Sequence, residues 1–512
     1  MAESASGQRM AAGVAAAAVA LGVTALAAVP LGAGADARVA VGSAVVDLTP
    51  APAKEWAIQT FGTSDKLFLG IAVLVVIGVL AATAGLLETR TRPVGSLMFT
   101  AAGVLGGVAV LTRADAGLVD VVPVVVGTVC GVVALRLLVS DRIPERGGSD
   151  GTDGGRRRSL ATLGLLTAGA LAGVGATVWS RRLHSVAGNR RAFGVPAPDV
   201  PAPPIPPQVQ PEGVQLPSFV TSNADFYRID TALTVPQLAH QDWRLRIHGM
   251  VDRELTYGFD DLAGFEVVEK VVTLCCVSNP VGGDLISNAV WTGYRVRDLL
   301  EAAGVHPDAD MVLSTSTDGF TAGTPVEALT DGRDSLLAVG MNGTPLPVEH
   351  GYPARLVVPG LYGYVSATKW VVDLELTRFD RAQAYWTRHG WSARGPIKTE
   401  SRIDVPRGGQ EVPVGPVTFG GVAWAQDRGI RAVEVRIDPP GGQGVWQPAE
   451  LGAGYSNDTW RLWSLPWRAT TPGRHTITVR ATDNTGYTQT PDYVPPPPDG
   501  ATGWDEVGFT VT

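Results

Sequence analysis

Thr273-Leu274-Cys275-Cys276-Val277-Ser278-Asn279 closes an apolar, β-type run within Val271–Trp291 and turns at once into a polar loop containing Gly282-Gly283. A thiolate presented at such a turn is a soft donor, suited to a transition metal. Neighbouring side chains on a strand point to opposite faces, so only one of the two sulfurs faces any site built there. Cysteine is also a common core filler, and the pair alone is compatible with that plainer role. Zinc is not supported, because no C-x-x-C pair or histidine cluster supplies its other ligands. A single protein ligand suffices only where a cofactor completes the coordination sphere.

Around this stretch, from Phe219 to about Arg378, short strands and helices mix. Trp243-Arg244-Leu245-Arg246-Ile247-His248-Gly249 alternates with period 2 and reads as a half-exposed strand. Asp260-Asp261-Leu262 and Val296–Ala303 read as short helices, the second stopped by Gly304. Arg355-Leu356-Val357-Val358 reads as a buried strand ended by Pro359-Gly360. The class is α+β with much loop, a composition able to surround a large cofactor.

The cysteine segment resembles the molybdenum-ligand segment of the sulfite oxidase family, and further segments match in order. Asn223-Ala224-Asp225-Phe226-Tyr227-Arg228 resembles a family loop in which polar and aromatic residues contact a pterin. Asn342–Pro347, His350–Arg355 and Gly363–Trp370 resemble later ones. The resemblance implies a molybdenum-molybdopterin cofactor, with Cys276 as metal ligand and catalytic residue. It makes Asn223, Tyr227, Arg228, His350 and Arg355 cofactor contacts. Lys369 and the neighbouring backbone would hold the pterin phosphate, with Ser366 and Thr368 as further contacts. Arg and Lys neutralise phosphate, and backbone N–H groups of a Gly-containing loop can cradle it. Each residue has a plainer role. Arg355 could pair with a structural carboxylate, Lys369 could be a solvated strand end, His350 an ordinary loop histidine, and Phe226-Tyr227 core.

From about residue 403 the texture changes. Ala432–Asp438 and His475–Asp483 alternate cleanly, with turn clusters at Pro439-Pro440-Gly441-Gly442 and Thr471-Pro472-Gly473. That pattern predicts an antiparallel β-sandwich, with Trp424, Trp446, Trp460, Trp463 and Trp467 filling its core and rim. It resembles the immunoglobulin-like domain that follows the molybdopterin domain in the family and often mediates dimerisation.

The first part is different again. Apolar stretches at Met10–Gly32, Leu67–Leu87, Val94–Thr112, Gly117–Leu138 and Leu160–Ser180 approach the roughly 20 residues of a membrane-crossing helix. The first is either a retained span or a cleaved signal. Arg90 and Arg92, and Arg142, Arg146 and Arg156–Arg158, mark two loops as cytoplasmic. That topology puts everything after residue 180 outside, against the opposing charge of Arg181, Arg182, Arg190 and Arg191. Arg157-Arg158-Ser159-Leu160 reads either as an internal twin-arginine export signal or as an ordinary positive-inside anchor. The expected domains are a membrane part at 1–183, a Pro-rich extended spacer at 184–215, a molybdopterin-binding domain at 216–402 and a sandwich at 403–512.

The 512 residues carry a net charge of −8, which argues against a nucleic-acid partner. Three cysteines cannot make a disulfide framework. The expected protein is a multi-pass cell-membrane oxidoreductase with an extracytoplasmic catalytic domain. It acts on a small substrate, pairs through its C-terminal domain, and passes electrons to an external protein or carrier. No C-x-x-C-H motif is present, and His184, the first histidine, follows the last span, so bis-His haem inside the membrane is excluded. Sulfite-oxidising members place an arginine shortly after the ligand cysteine. Val277–Gly283 contains none, leaving sulfite as one candidate beside sulfoxides and other oxo compounds. The competing expectation is a cofactor-free, anchored extracytoplasmic binding or adhesion protein.

Overall fold

Stretches rich in Leu, Val, Ala and Gly become long helices in the first part of the chain. The structure is a computed structural model and describes residues 2–50, 53, 56, 60, 65–89, 91–114, 116–139, 153–229 and 232–512. One unit comprises Met1–Ser185 with Ala232–Gln237; the other comprises Val186–Thr231 with Leu238–Thr512.

Among the described residues five helical segments are long and apolar enough to cross a membrane: Ser6–Ala28, Leu67–Leu87, Val94–Leu111, Leu118–Val139 and Ser159–Ala192. In the first unit small residues make the helix contacts. Gly13 meets the Ala81 carbonyl and Gly22 that of Gly169, so closely that any Cβ would collide with backbone. Ala12, Ala15, Ala16 and Ala25 are buried, whereas Leu74, Val79, Leu105, Leu137 and Leu171 point outward and exposed. Small inside and large apolar outside inverts the pattern of a water-soluble bundle. An unforeseen helix, Ala37–Leu48, has 12 residues, too few to span. Arg90, Arg142 and Arg146 of the expected cytoplasmic loops lie outside the described residues. Arg156, Arg157 and Arg158 fall within the helix Asp153–Leu183, but their side chains are likewise outside what is described.

The second unit opens with a correction. The 184–215 segment is not one extended spacer: Ala187–Ala192 is helical, Pro207–Val209 is a 3-10 turn, and the Pro-rich stretch between them, though extended, is packed. Asp199 and Val200 donate their N–H groups to the Val267 carbonyl (2.9 and 3.1 Å), and Val209 is buried. Ala202 and Ile205 pack against the same core. A PPII-like segment has no internal hydrogen bonds, so this side-chain burial ties it down.

Ten strands follow: β1 (Arg244–Gly249), β2 (Leu255–Gly258), β3 (Val267–Cys275), β4 (Ile286–Arg295), β5 (Met311–Ser316), β6 (Thr321–Pro325), β7 (Leu336–Met341), β8 (Thr344–Pro345), β9 (Arg355–Val357) and β10 (Val371–Thr377). They form two sheets, ordered β2-β1-β10-β5-β6 and β3-β4-β7-β8, with β9 also pairing β7. β1 runs parallel to β10, and the other pairs are antiparallel. The predicted helix Val296–Ala303 is present and ends at Gly304, whose φ of 74° suits glycine. Asp260–Gly264 is a 3-10 turn.

Nine more strands complete the chain: β11 (Glu400–Val405), β12 (Glu411–Val412), β13 (Gly415–Trp424), β14 (Ile430–Asp438), β15 (Trp446–Pro448), β16 (Glu450–Leu451), β17 (Arg461–Ala469), β18 (Gly473–Asp483) and β19 (Asp505–Val511). Their sheets, β11-β13-β17-β16 and β12-β19-β18-β14-β15, enclose one apolar cluster that includes Phe419, Leu465, Val435, Ile477, Val479 and Phe509. β11 starts at Glu400, ahead of the expected boundary at 403. Trp463 and Trp467 join that cluster as expected. Trp424 and Trp460 do not: they belong to the core shared with Cys275 and Trp243. β13 is buried on both faces at its C-terminal end, so the face carrying Trp424 packs outward against the other sheets. Trp446 lies outside both cores, under the guanidinium of Arg480 (4.2 Å to the ring centroid).

Candidate functional site

β3 delivers its two sulfurs to different environments. Cys275 is its last residue, fully buried in the core; burial first, then the Glu400 carboxylate, pushes its thiol pKa well up. Cys276 comes one residue later, where the ladder stops, and is partly exposed. The loop behind it is tightly closed. Cys276 N–H donates to Leu285 O (2.9 Å), Asn279 N–H to Cys276 O (3.1 Å), and Leu285 N–H to Asn279 Oδ1 (2.8 Å).

The Asn223–Arg228 loop is stitched to the β7–β8 hairpin. Asn223 Nδ2 donates to Met341 O (3.3 Å) and Thr344 Oγ1 (3.1 Å), and its Oδ1 accepts from Asn342 Nδ2 (2.7 Å). Asn342 and Gly343 both have positive φ (51° and 71°), the geometry of a two-residue hairpin turn. Tyr227 N–H donates to Ser287 Oγ (3.1 Å). Burial, then the nearby Cys276 and Cys275, drive its phenol pKa well up, with Arg355 opposing. Tyr227 therefore stays a neutral hydrogen-bond donor beside the cysteines. Phe226 stacks on Tyr227 and meets His350 edge-on (5.5 Å between centroids).

His350 and Arg355 form the opposite wall. His350 is buried, and desolvation together with Arg355 and Lys369 lowers its pKa to about 3, with a hydrogen bond to the Asn223 backbone resisting. Its imidazole is neutral at physiological pH. Arg355 is 5% exposed. Its guanidinium donates to the carbonyls of His350 (3.1 Å), Leu356 (3.3 Å) and Ala367 (3.4 Å) and lies over the Trp291 ring at 5.1 Å. Burial lowers its pKa to about 10, opposed only by Tyr227. Among the described residues no carboxylate pairs with it, so the structural-carboxylate role does not hold. Lys369 bridges to Arg355 through the backbone, donates to Glu349 O (3.2 Å) and lies 4.7 Å from the Trp370 centroid. Gly363 passes close to the Tyr227 hydroxyl and the Cys275 carbonyl.

Cys276, Tyr227, His350, Arg355 and Lys369 thus come from four segments to one place. Arg228 is exposed, near enough to His350 to help depress its pKa. Two expected contacts turn elsewhere. Ser366 Oγ donates to Tyr362 O (3.0 Å), and Thr368 Oγ1 shares a hydrogen bond with Ser314 Oγ (2.7 Å); both side chains are fully buried. Trp291, one tryptophan among thirteen, is identified only by its contact with Arg355. Glu400 and Arg402 were also missed. The charged alternation Glu400-Ser401-Arg402-Ile403-Asp404 reads as a solvated strand face, and the structure buries it.

The residues suit a molybdopterin. A buried guanidinium compensated only by carbonyls and a ring face leaves positive charge for an anion, and Lys369 adds to it. Cys276 offers a partly exposed sulfur there. Among the described residues no group of three or more His, Cys, Asp or Glu gathers, so the remaining metal ligands would come from the cofactor.

A family model described as "Oxidoreductase molybdopterin binding domain" matches residues 232–386. Human mitochondrial sulfite oxidase is 30% identical over 328 residues, covering 54% of this chain and 58% of that protein. The chain therefore spans little more than half the length of that relative. An "Uncharacterized oxidoreductase YuiH" of Bacillus subtilis is 35% identical over 153 residues, 30% of this chain and 74% of that protein. The crystal structure of the sulfane dehydrogenase SoxCD from Paracoccus pantotrophus superposes with a TM-score of 0.46 at 26% identity, over 55% of this chain and 76% of that one.

Proposed function

We propose, since this chain belongs to the sulfite oxidase family of molybdopterin-dependent oxidoreductases, that it is a membrane-anchored enzyme transferring an oxygen atom to or from a small extracytoplasmic substrate. The observation that carries the site is Arg355, a buried cation with no carboxylate partner among the described residues, beside Tyr227, which itself neighbours the cysteines. When bound, the molybdenum cofactor supplies a two-electron centre for oxygen-atom transfer. Cys276 would be its protein ligand. Arg355 and Lys369 would neutralise the pterin phosphate, and His350, held neutral, would hydrogen-bond without adding charge. Tyr227, a neutral phenol beside the thiols, would donate a hydrogen bond toward the substrate side. Asn223 would act by fixing the loop that carries Tyr227 and Arg228. Ser366 and Thr368 would contribute through their backbone.

A small neutral or weakly charged oxo substrate, such as a sulfoxide, fits better than a dianion. The Val277–Gly283 loop carries no arginine, and Arg402, which reaches its far end, is ion-paired with Asp404 (3.0 Å). Outward-facing Leu and Val on the helices support membrane anchoring. The loop arginines support an extracytoplasmic catalytic unit, and the Arg157-Arg158 pair supports export of a folded, loaded domain. The alternating C-terminal strands support an immunoglobulin-like sandwich that pairs two copies. Electrons would pass to an external protein or diffusible carrier.

The test is molybdenum and pterin content of the full chain purified from a cofactor-competent host. A panel of sulfite, sulfoxides and N-oxides with artificial electron donors and acceptors follows. Near-stoichiometric molybdenum and turnover of one class are expected; protein free of molybdenum from that host would refute the reading.

A further inference from the structure

We infer that Arg402, on the first strand of the C-terminal sheets, is a positioning residue that sets the loop holding the metal-ligand cysteine. The inference rests on Cys276 as ligand. β3 is the outer strand of its sheet, so one row of its backbone groups has no strand partner. At the start of β3 the Pro-rich segment fills that row, with Glu269 N–H donating to Val200 O (2.9 Å); towards the cysteines the C-terminal half supplies the partners. Thr273 N–H donates to Asp458 O (2.9 Å), Gln426 Nε2 donates to Thr273 O (3.1 Å), and Trp460 N–H donates to Thr273 Oγ1 (2.8 Å). Lys270 adds an ion pair to Asp458 (2.9 Å).

The loop beyond Cys276 is seized at its other end. β11 alternates: Ser401 and Ile403 turn inward, to Gln489 and the apolar cluster between the sheets. Arg402 turns the other way. Buried at 7% exposure, it donates Nη1 to Gly283 O (2.8 Å) and pairs Nη2 with Asp404 (3.0 Å). Gly282 (φ 73°) rests on the Asp505 carboxylate, which accepts from Ile403 N–H (2.8 Å); a Cβ at 282 would collide with it. Gly283 N–H donates to Pro280 O, and Asn279 then ties that end to Cys276 and Leu285. A displacement at Gly283 is therefore passed to the sulfur through a short loop tied by the Gly283–Pro280, Asn279–Cys276, Leu285–Asn279 and Cys276–Leu285 hydrogen bonds. Only a planar guanidinium serves a carbonyl and a carboxylate at once in this geometry.

The test uses the full chain with Arg402→Met, Arg402→Lys and, as reference, Cys276→Ser. Amide hydrogen exchange over residues 276–285 is read on cofactor-free protein, and the metal–thiolate signature by EPR and X-ray absorption on loaded protein. In Arg402→Met the loop amides should exchange roughly tenfold or more faster, while β17 and β18 keep their protection. Its metal–sulfur signature should shift. Arg402→Lys should fall between, because an ammonium cannot keep both contacts; if only this variant folds, faster loop exchange in it still supports the clamp. Wild-type loop exchange in either variant, or acceleration equal in β17 and β18, overturns it. A thiolate signature surviving in Cys276→Ser would overturn the ligand assignment, while the exchange data would still judge the clamp.

Discussion

Replacing Glu400 with glutamine should change how stability depends on pH, in a direction the structure dictates. Glu400 is 4% exposed, and its Oε1 has no hydrogen-bond partner among the described residues. Burial, opposed only by Lys398, raises its pKa from 4.5 to about 8. The folded chain then keeps a proton that the unfolded chain releases above pH 4.5. The unfolded state binds fewer protons in that window, so stability falls as pH rises from about 4.5 to about 8 and is unaffected below it. At about 1.4 kcal/mol per pH unit, the deficit at pH 7 is about 3 kcal/mol. Glutamine is nearly isosteric and does not titrate. The variant and wild type should melt together near pH 4.5, separate progressively, and differ by roughly 6 °C at pH 7, with the variant higher. Intrinsic fluorescence of the full chain in detergent is the assay, since all thirteen tryptophans except Trp56 and Trp179 lie in the second unit. A constant offset between pH 4.5 and 8, or a variant that falls behind as pH rises, would refute the reasoning.

Five further outcomes are expected. Cys276→Ser should abolish turnover and the cysteine sulfur's contribution to the metal's coordination signal while retaining pterin. Cys275→Ser should keep both and lose about 1–3 kcal/mol to a buried hydroxyl, measured by melting. Arg355→Met should cut cofactor occupancy by roughly tenfold or more, because a charge-assisted contact with an anion is lost; pterin assay at wild-type stoichiometry would contradict this. Arg157→Lys with Arg158→Lys should block export of the catalytic unit while leaving the earlier spans inserted, and normal export by fractionation would reduce the pair to an anchor. Reporter fusions at residues 150 and 215 should report opposite compartments, and identical ones would rule out a fifth span.

Local pattern carried much of this protein. The apolar stretches announced their helices because composition over some twenty residues is enough to decide burial in lipid or protein. Alternation separated Cys275 from Cys276 before any contact was known, since the strand period alone turns neighbours apart. Helix, turn and strand signals near Val296–Gly304 and His475–Asp483 are likewise properties of adjacent residues. Tertiary structure decided what depends on residues distant in sequence. It assigned Trp424 and Trp460 to the core behind the cysteine strand, and it turned Ser366 and Thr368 away from the site. It packed the Pro-rich strap along β3 and buried the charged face of β11 against the Gly282-Gly283 loop. None of these has a periodic signature. Which face of a strand meets water and which meets another sheet is set by what packs there, and for Arg402 and Gly283 that partner lies 119 residues along the chain.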